Sequence, residues 1–318
     1  MGNFALCFSE ISFISPLTVK PNSNTLFGSI IYSLYRIKGQ NYVVDVLEKF
    51  KNGEPPFLIS SIFPIKNNNY YFPKVILPFE KTEGLDSKMI KKIKKSQFIH
   101  QEILKTLLTS EKKVADIYKD FLNSNDYFVN IIKFDKTHNS IDRFTNNVRE
   151  DGGLFFETSF VLNNAFFLIL LVDFELDLLK QCIELGGRIG LGGNKSTGAG
   201  KYSVIEIKEV VDNKKLDFLI DYIKNDSKYF ITLSPVIPKT DIDIDKSYYE
   251  LEFYRGCVEQ DFNLPVNNIW KKKVIYLKEG SVLSLKDNNE KFLGCCPIVH
   301  NEKEIIQYGY EFRMSLGV

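Results

Sequence analysis

Seven glycines fall within the sixteen residues from Gly186 to Lys201, together with Arg188, Lys195 and Lys201 and no acidic residue. Glycine permits φ > 0 and close backbone approach. Consecutive exposed N–H groups beside cations form an anion cradle. The chemistry this run suits is holding a phosphate backbone, through Arg188, Gly190, Gly192, Gly193, Asn194, Lys195, Ser196, Thr197, Gly198, Gly200 and Lys201. Two nucleotide motifs fail on it. A P-loop requires Gly, four residues, then Gly-Lys-Ser/Thr; Gly193 and Gly198 have the gap, but Ala199 follows where Lys is needed. In the dinucleotide pattern Gly190 and Gly192 fit, and Lys195 replaces the third glycine. An ATPase or a nicotinamide enzyme is therefore not expected. A plain turn between helix and strand needs one or two glycines, so a structural role accounts poorly for the run.

A second set lies on a polar stretch between two strand-like segments, Val129 to Phe134 and Leu154 to Leu162. It carries His138, Arg143, Phe144, Asn146, Asn147 and Arg149 and ends in Asp151-Gly152-Gly153. This pattern predicts a long β-hairpin with a polar arm. A cation beside an aromatic ring at its tip can stack on a base.

Catalysis has weaker candidates. His100 falls in a lysine-rich helical pattern and reads as a surface or satisfied residue; His300 reads as structural; His138 alone sits among RNA-binding candidates. Asp241, Asp243 and Asp245 alternate at strand spacing and could hold Mg²⁺. They follow Pro235 and Pro238, and the segment has the composition of an exposed linker. No metal site and no cofactor are expected.

The elements that must carry these residues follow from periodicity. Ala5 to Phe13 reads as a strand. Leu26, Phe27, Ile30, Ile31, Leu34 and Tyr35 repeat at helical spacing, capped by Ser23 or Asn24 and ended by Gly39. A second helix over Tyr42 to Lys51 stops before Pro55-Pro56. Residues 81–113 hold nine lysines against four acids and predict a helix with a basic flank, more simply a solvated face than an RNA contact. Phe166 to Phe174 reads as a strand, Leu176 to Leu185 as a helix ended by Gly186-Gly187, and Tyr202 to Val210 as a strand. The remainder predicts a helix over Leu216 to Lys224 and strands at Tyr229 to Leu233, Tyr249 to Tyr254, Val274 to Tyr276 and Tyr308 to Met314. The fold class expected is α+β: two ferredoxin-like (RRM-like) domains in tandem, 1–211 and 212–318. The first carries a basic helical insertion (81–125), a hairpin arm (135–153) and the glycine-rich loop.

Composition sets outer bounds. With 44% hydrophobic and 25% charged residues the 318-residue chain can bury a real core. A net charge of +1 leaves nucleic-acid binding to be decided by charge distribution. Five cysteines without regular spacing argue for reduced thiols rather than a disulfide framework. The N-terminus lacks a basic stretch followed by a long apolar run, and Ala165 to Val172 is far shorter than the ~20 residues of a spanning helix. A cytoplasmic protein with no membrane partner is expected.

The run Gly190 to Tyr202 resembles the C-terminal glycine-rich motif of the RAMP superfamily of CRISPR proteins. Asn24-Thr25-Leu26-Phe27-Gly28 resembles that family's "DTLFGA" helix start, with Asn24 where Asp is usual. Pro56 to Pro64 followed by Tyr71-Phe72-Pro73-Lys74 resembles "PPFLLSSAFP…YFPKP". Ile141-Asp142-Arg143-Phe144-Thr145 resembles "IDRxTG", with Asn146 where Gly is usual. Arg255-Gly256, Glu279-Gly280-Ser281 and Gly309-Tyr310-Glu311-Phe312 follow in the order of the C-terminal motifs. Together these are similar to the fourth-subunit family of type III-A (Csm) CRISPR complexes. The resemblance implies a non-catalytic scaffold that binds the 5′ tag of the guide (cr)RNA, with the glycine loop, His138, Arg143, Phe144, Arg149 and Asn24 as RNA contacts. Its implied partners are the large polymerase-like subunit and the backbone RAMP subunit. Two alternatives stay open: a RAMP-type endoribonuclease that processes precursor guide RNA, and the equivalent subunit of a type III-B complex.

Overall fold

The computed structural model describes residues 4–78, 87–110, 112–122, 125–148, 153–224, 227–239, 241–258, 268–286, 291–300, 302 and 304–316. In chain order the first elements are β1 (Ala5–Phe13), α1 (Ser23–Lys38), α2 (Gln40–Lys51), β2 (Phe57–Ile59), β3 (Phe63–Lys66) and β4 (Asn69–Pro73). An inserted group follows: α3 (Ser87–Lys95), β5 (Phe98–His100), α4 (Gln101–Thr109), α5 (Val114–Phe121) and β6 (Phe128–Val129). Next come β7 (Ile132–Asn139), β8 (Leu154–Val161), β9 (Asn164–Leu171), α6 (Leu176–Ile189) and β10 (Tyr202–Glu209). The last elements are α7 (Leu219–Lys224), β11 (Tyr229–Thr232), β12 (Ile242–Tyr248), β13 (Leu251–Tyr254), β14 (Val274–Leu277), β15 (Val282–Leu285) and β16 (Arg313–Ser315).

The class is α+β with antiparallel sheets. The main sheet runs β10-β1-β9-β3-β4-β5-β6, with β2 also paired to β9. β9 is buried at seven of its eight positions, which is why its sequence is a continuous apolar run rather than an alternation. A second sheet runs β12-β15-β11-β16, and β13-β14 and β7-β8 form two-stranded ribbons. The β7–β8 ribbon is the predicted arm.

One aromatic-rich core crosses from the first half of the chain to the second. The Phe27 and Tyr308 rings stack with centroids 4.9 Å apart, and Phe50 lies edge-on to Phe27 at 4.9 Å. The polar ends of these tyrosines are satisfied across the same boundary: Tyr310 OH donates to the Phe50 carbonyl at 2.6 Å, and Tyr308 OH accepts from the Ile59 N–H at 3.1 Å.

Several sequence expectations are corrected. α6 does not stop at Gly186-Gly187; it runs to Ile189, and Gly190 closes it with φ +104°. The two glycines are packing residues. A Cβ on Gly186 would lie 2.7 Å from Ser29 Oγ on α1, and one on Gly187 would lie 2.4 Å from the Tyr202 carbonyl. The lysine-rich segment is no single helix, because β5 interrupts it and joins the main sheet beside β4. Of the two readings of His100, surface or satisfied, the second holds: it is buried, its Nδ1 caps α4 by accepting from the Glu102 N–H at 3.1 Å, and burial lowers its pKa. Lys81 and the acids Glu83, Asp86 and Glu111 of that segment lie outside the described residues. The N-cap of α1 is Asn22, not Ser23 or Asn24. The acidic segment is no linker but β12, paired to β15.

Candidate nucleic-acid interface

The glycine loop is built by α6 and tied down on both sides. Leu191 is fully buried and anchors it. The Leu191 N–H donates to the Gly200 carbonyl, and the Gly200 N–H donates to the Pro16 carbonyl, both at 2.9 Å. Thr18 Oγ1 donates to the Gly193 carbonyl at 3.1 Å. Between these anchors Lys195–Thr197 forms a short 3-10 turn, entered at Asn194 with φ +53° and left at Gly198 with φ +88°. Thr197 Oγ1 donates back to the Asn194 carbonyl at 2.8 Å.

This geometry changes the meaning of the glycines. A Cβ on Gly200 would sit 2.1 Å from the Leu191 carbonyl oxygen, and Gly190 and Gly192 are crowded by Ala199 and Val19. Much of the glycine density is thus demanded by the loop folding on itself, a structural role the sequence reading undervalued. Gly193, Asn194, Ser196 and Thr197 are left exposed at its crest.

Beside the crest runs a groove of about 570 Å³. One wall is α1, with Asn24, Gly28 and Tyr32; the crest residues Gly192, Gly193 and Lys195 form an edge; the opposite wall carries Arg255 and Lys271 from the second half. Nothing stands within 4 Å of where a Gly28 Cβ would be, so that glycine keeps the α1 wall low. Lys195 Nζ lies 5.5 Å from the Tyr32 ring centroid, and the Arg255 guanidinium lies 5.2 Å from that of Trp270. Burial pulls the Lys271 pKa below the ordinary lysine value and pushes that of Tyr254 up. Among the described residues of the lining, Lys195, Arg255 and Lys271 face a single acid, Glu304, so this part of the groove favours an anion.

The predicted site residues divide accordingly. Asn24 is buried, with its Nδ2 3.5 Å from Tyr276 OH, and it reaches the groove from the start of α1. Arg188 and Lys201 are exposed but do not line the groove. Arg143 and Phe144 sit at the tip of the arm, Phe144 fully exposed. The tip is shaped by Asp142, whose Oδ1 accepts from the Phe144 and Thr145 N–H groups. Arg149 lies outside the described residues. His138 is brought close to the loop: Glu157 on β8 contacts Asn194 Nδ2 with one oxygen, and its other oxygen lies 3.3 Å from His138 Nε2. The His138 ring stacks on Phe155 with centroids 5.2 Å apart. His300 is buried, its Nε2 2.7 Å from the Asn268 carbonyl, in the structural role expected. Asp243 pairs with Lys246 at 3.5 Å, and among the described residues no group of three or more His, Cys, Asp or Glu is placed to hold a metal.

Sequence reasoning did not include Gly28, Tyr32, Arg255 or Lys271 as site residues. Arg255-Gly256 stood out only as a family motif, and nothing local marks a groove whose walls are more than 200 residues apart in the chain.

Residues 18–203 match the RAMP superfamily. The CRISPR system Cms protein Csm4 of Methanocaldococcus jannaschii is 27% identical, over 82% of this chain and 78% of that protein. Among solved structures, a chain of the Csm3–Csm4 subcomplex of the type III-A CRISPR-Cas interference complex superposes with a TM-score of 0.62. It is 20% identical and covers 98% of this chain and all of that one. A chain of the Csm1–Csm4 cassette in complex with cA4 gives 0.59 at 17% identity, covering 98% of each. At these identities the structural likeness speaks for the fold.

Proposed function

The chain belongs to the RAMP superfamily, and from that membership we propose that it is the Csm4-type subunit of a type III-A CRISPR ribonucleoprotein. In this reading it grips the 5′ tag of the guide RNA without cutting it and bridges the large polymerase-like subunit to the backbone filament. The observation that carries the RNA-binding part is the cationic groove between α1, the glycine loop and Arg255. Its bridging role is supported by the relatives, whose names pair Csm4 with Csm3 in one complex and with Csm1 in another. Both larger sheets have the strand order of ferredoxin-like units, β10-β1-β9-β3 and β12-β15-β11-β16. This supports a division at 211/212 into two such units, the second poor in helix. Among the described residues no helix is long and apolar enough to cross a membrane, and a cytoplasmic location follows from the family reading.

The test uses the full chain with a tag-bearing single-stranded RNA carrying photoreactive nucleotides. Crosslinks are expected on the glycine-loop crest at 193–197 and on Arg143 or Phe144 at the arm tip, where stacking contributes about 1–3 kcal/mol per base. Labelling confined to other segments would sink the placement. The ribonuclease reading has one observation in its favour, the His138–Glu157 pair beside the loop, because such a pair could move a proton. The same RNA is expected to stay intact with Mg²⁺ and with chelator. Site-specific cutting lost in His138→Ala would reverse the assignment.

A further inference from the structure

Outside the groove, the seam between the two halves carries a cluster of charges. The carboxylates of Glu250, Glu252 and Glu279 come from the second half, as does Lys278; Lys20 and Lys74 come from the first. Two ion pairs are formed. Lys20 Nζ meets Glu252 Oε1, and Asn22 Nδ2 lies 3.5 Å from the other oxygen of that carboxylate. Lys278 Nζ donates to Glu250 Oε2 at 2.7 Å. Lys74 Nζ is taken up by the carbonyls of Ile93 and Lys94, at 3.1 and 2.9 Å. Glu279 is left over. Its Oε2 is sealed from solvent and has no hydrogen-bond partner among the described residues.

The turn that carries Glu279, between β14 and β15, is held on both sides. Ser281 Oγ donates to the Lys278 carbonyl at 2.6 Å. The Gly280 N–H donates to the Thr232 carbonyl, and the Gly280 carbonyl accepts from the Ile76 N–H, both at 2.7 Å. Gly280 has φ +88°, and a Cβ there would lie 2.4 Å from the Lys74 carbonyl oxygen, so the first half is pressed against the turn. The sealed oxygen reaches water only if the turn lifts away from Lys74 and Ile76. The charged groups that face Glu279 are Glu252 from β13, Lys20 from the β1–α1 loop and Lys278 from its own turn. Glu250, Lys74 and Lys94 complete the cluster around them. Burial first, then Glu252, pushes the Glu279 pKa up to about 7, so below that pH the carboxyl stays neutral in place. An ionised carboxylate there needs a cation, and the two that face it already serve Glu252 and Glu250.

We propose that Glu279 is a proton-operated latch on the seam: protonated, it lets the halves close, and ionised, it competes for Lys20 and Lys278 and loosens the β1–α1 loop and the segment after β4 from the second half. The same loop backs the glycine loop through Pro16 and Thr18, so the latch sets how firmly that loop is supported, whatever the groove binds. The sign follows from the two titrations. A free glutamate titrates near 4.5 and Glu279 in place at about 7, so the closed seam holds the proton more tightly than the open one. The stabilisation is complete below about 4.5 and is lost as the pH rises to about 7.

Amide hydrogen exchange on the full chain, divided by the intrinsic rate at each pH, reads the opening of the seam at Ile76 and Gly280. In the unsubstituted chain that opening should rise toward tenfold per pH unit from about pH 5 and level off above about pH 7, about a hundredfold in all. Glu279→Gln, which cannot ionise, should abolish the rise. The amides of the arm tip, Phe144 and Thr145, open without the seam and should show no such difference between the two chains. Glu252→Gln removes the like charge and frees Lys20, so its rise should level off at a lower pH. A rise that persists in Glu279→Gln, or a difference as large at the arm tip, overturns the latch. If Glu279→Gln does not fold, the Glu252→Gln chain decides, and an unchanged levelling pH overturns it.

Discussion

Gly200→Ala is expected to cost about 4 kcal/mol of stability, while Gly198→Ala, two residues away in the same loop, costs about 1 kcal/mol. Both glycines have left-handed backbones, at φ +69° and +88°, so each substitution carries the steric penalty of about 1–2 kcal/mol for an L-residue there. They differ in what surrounds them. A Cβ at position 200 meets the Leu191 carbonyl oxygen at 2.1 Å and its nitrogen at 2.8 Å, whereas one at position 198 meets nothing within 4 Å. The offending atoms at 200 are backbone and belong to the fully buried Leu191, so the strain has no flexible side chain to absorb it. Overpacking of this kind adds about 1–3 kcal/mol. Urea unfolding of the two variants beside the unsubstituted chain measures the difference. Equal destabilisation would mean that the loop is not folded on itself as described.

The second large effect is on RNA affinity. Lys195→Ala combined with Arg255→Ala should weaken single-stranded RNA binding by about 3 kcal/mol, more than about a hundredfold, because hydrogen bonds to charged groups contribute about 1.5–3 kcal/mol each. The slope of log affinity against log salt should fall by about 1.4 if each cation meets one phosphate. Lys201→Ala removes the same charge from the same loop outside the groove and should stay within about 0.5 kcal/mol. The pairing makes the test one of geometry rather than of net charge. If Lys201→Ala weakens binding as much as Lys195→Ala, the RNA does not run in the groove.

What could be read in advance follows the range of the interactions. β1, α1, α2 and the arm were legible because period and turn chemistry are local. The glycine loop was visible as composition, but its meaning was not. Whether a glycine ends a helix or lets another element pack depends on who approaches, and for Gly186 and Gly187 the visitors are Ser29 and Tyr202. β12 was misread for a related reason. Alternating aspartates look solvated, and only the pairing of Ile242 with Leu285, 43 residues on, makes the segment a strand. His100 became a buried cap because β5 draws its backbone into the sheet. The groove was legible in one wall only, since the Arg255 wall is contributed from the far half.

The rings that cross the middle of the chain also govern how the molecule comes apart. Tyr308 and Tyr310 fill space among Phe27, Phe50 and Phe57, and their hydroxyls close backbone groups at Ile59 and Phe50. Taking the second half away would open an aromatic hollow in the first and strand buried polar atoms there. Neither half is then a melting unit by itself: heat should be absorbed in one calorimetric peak whose van't Hoff and calorimetric enthalpies agree. Tyr308→Ala should lower that peak as a whole rather than split it into two.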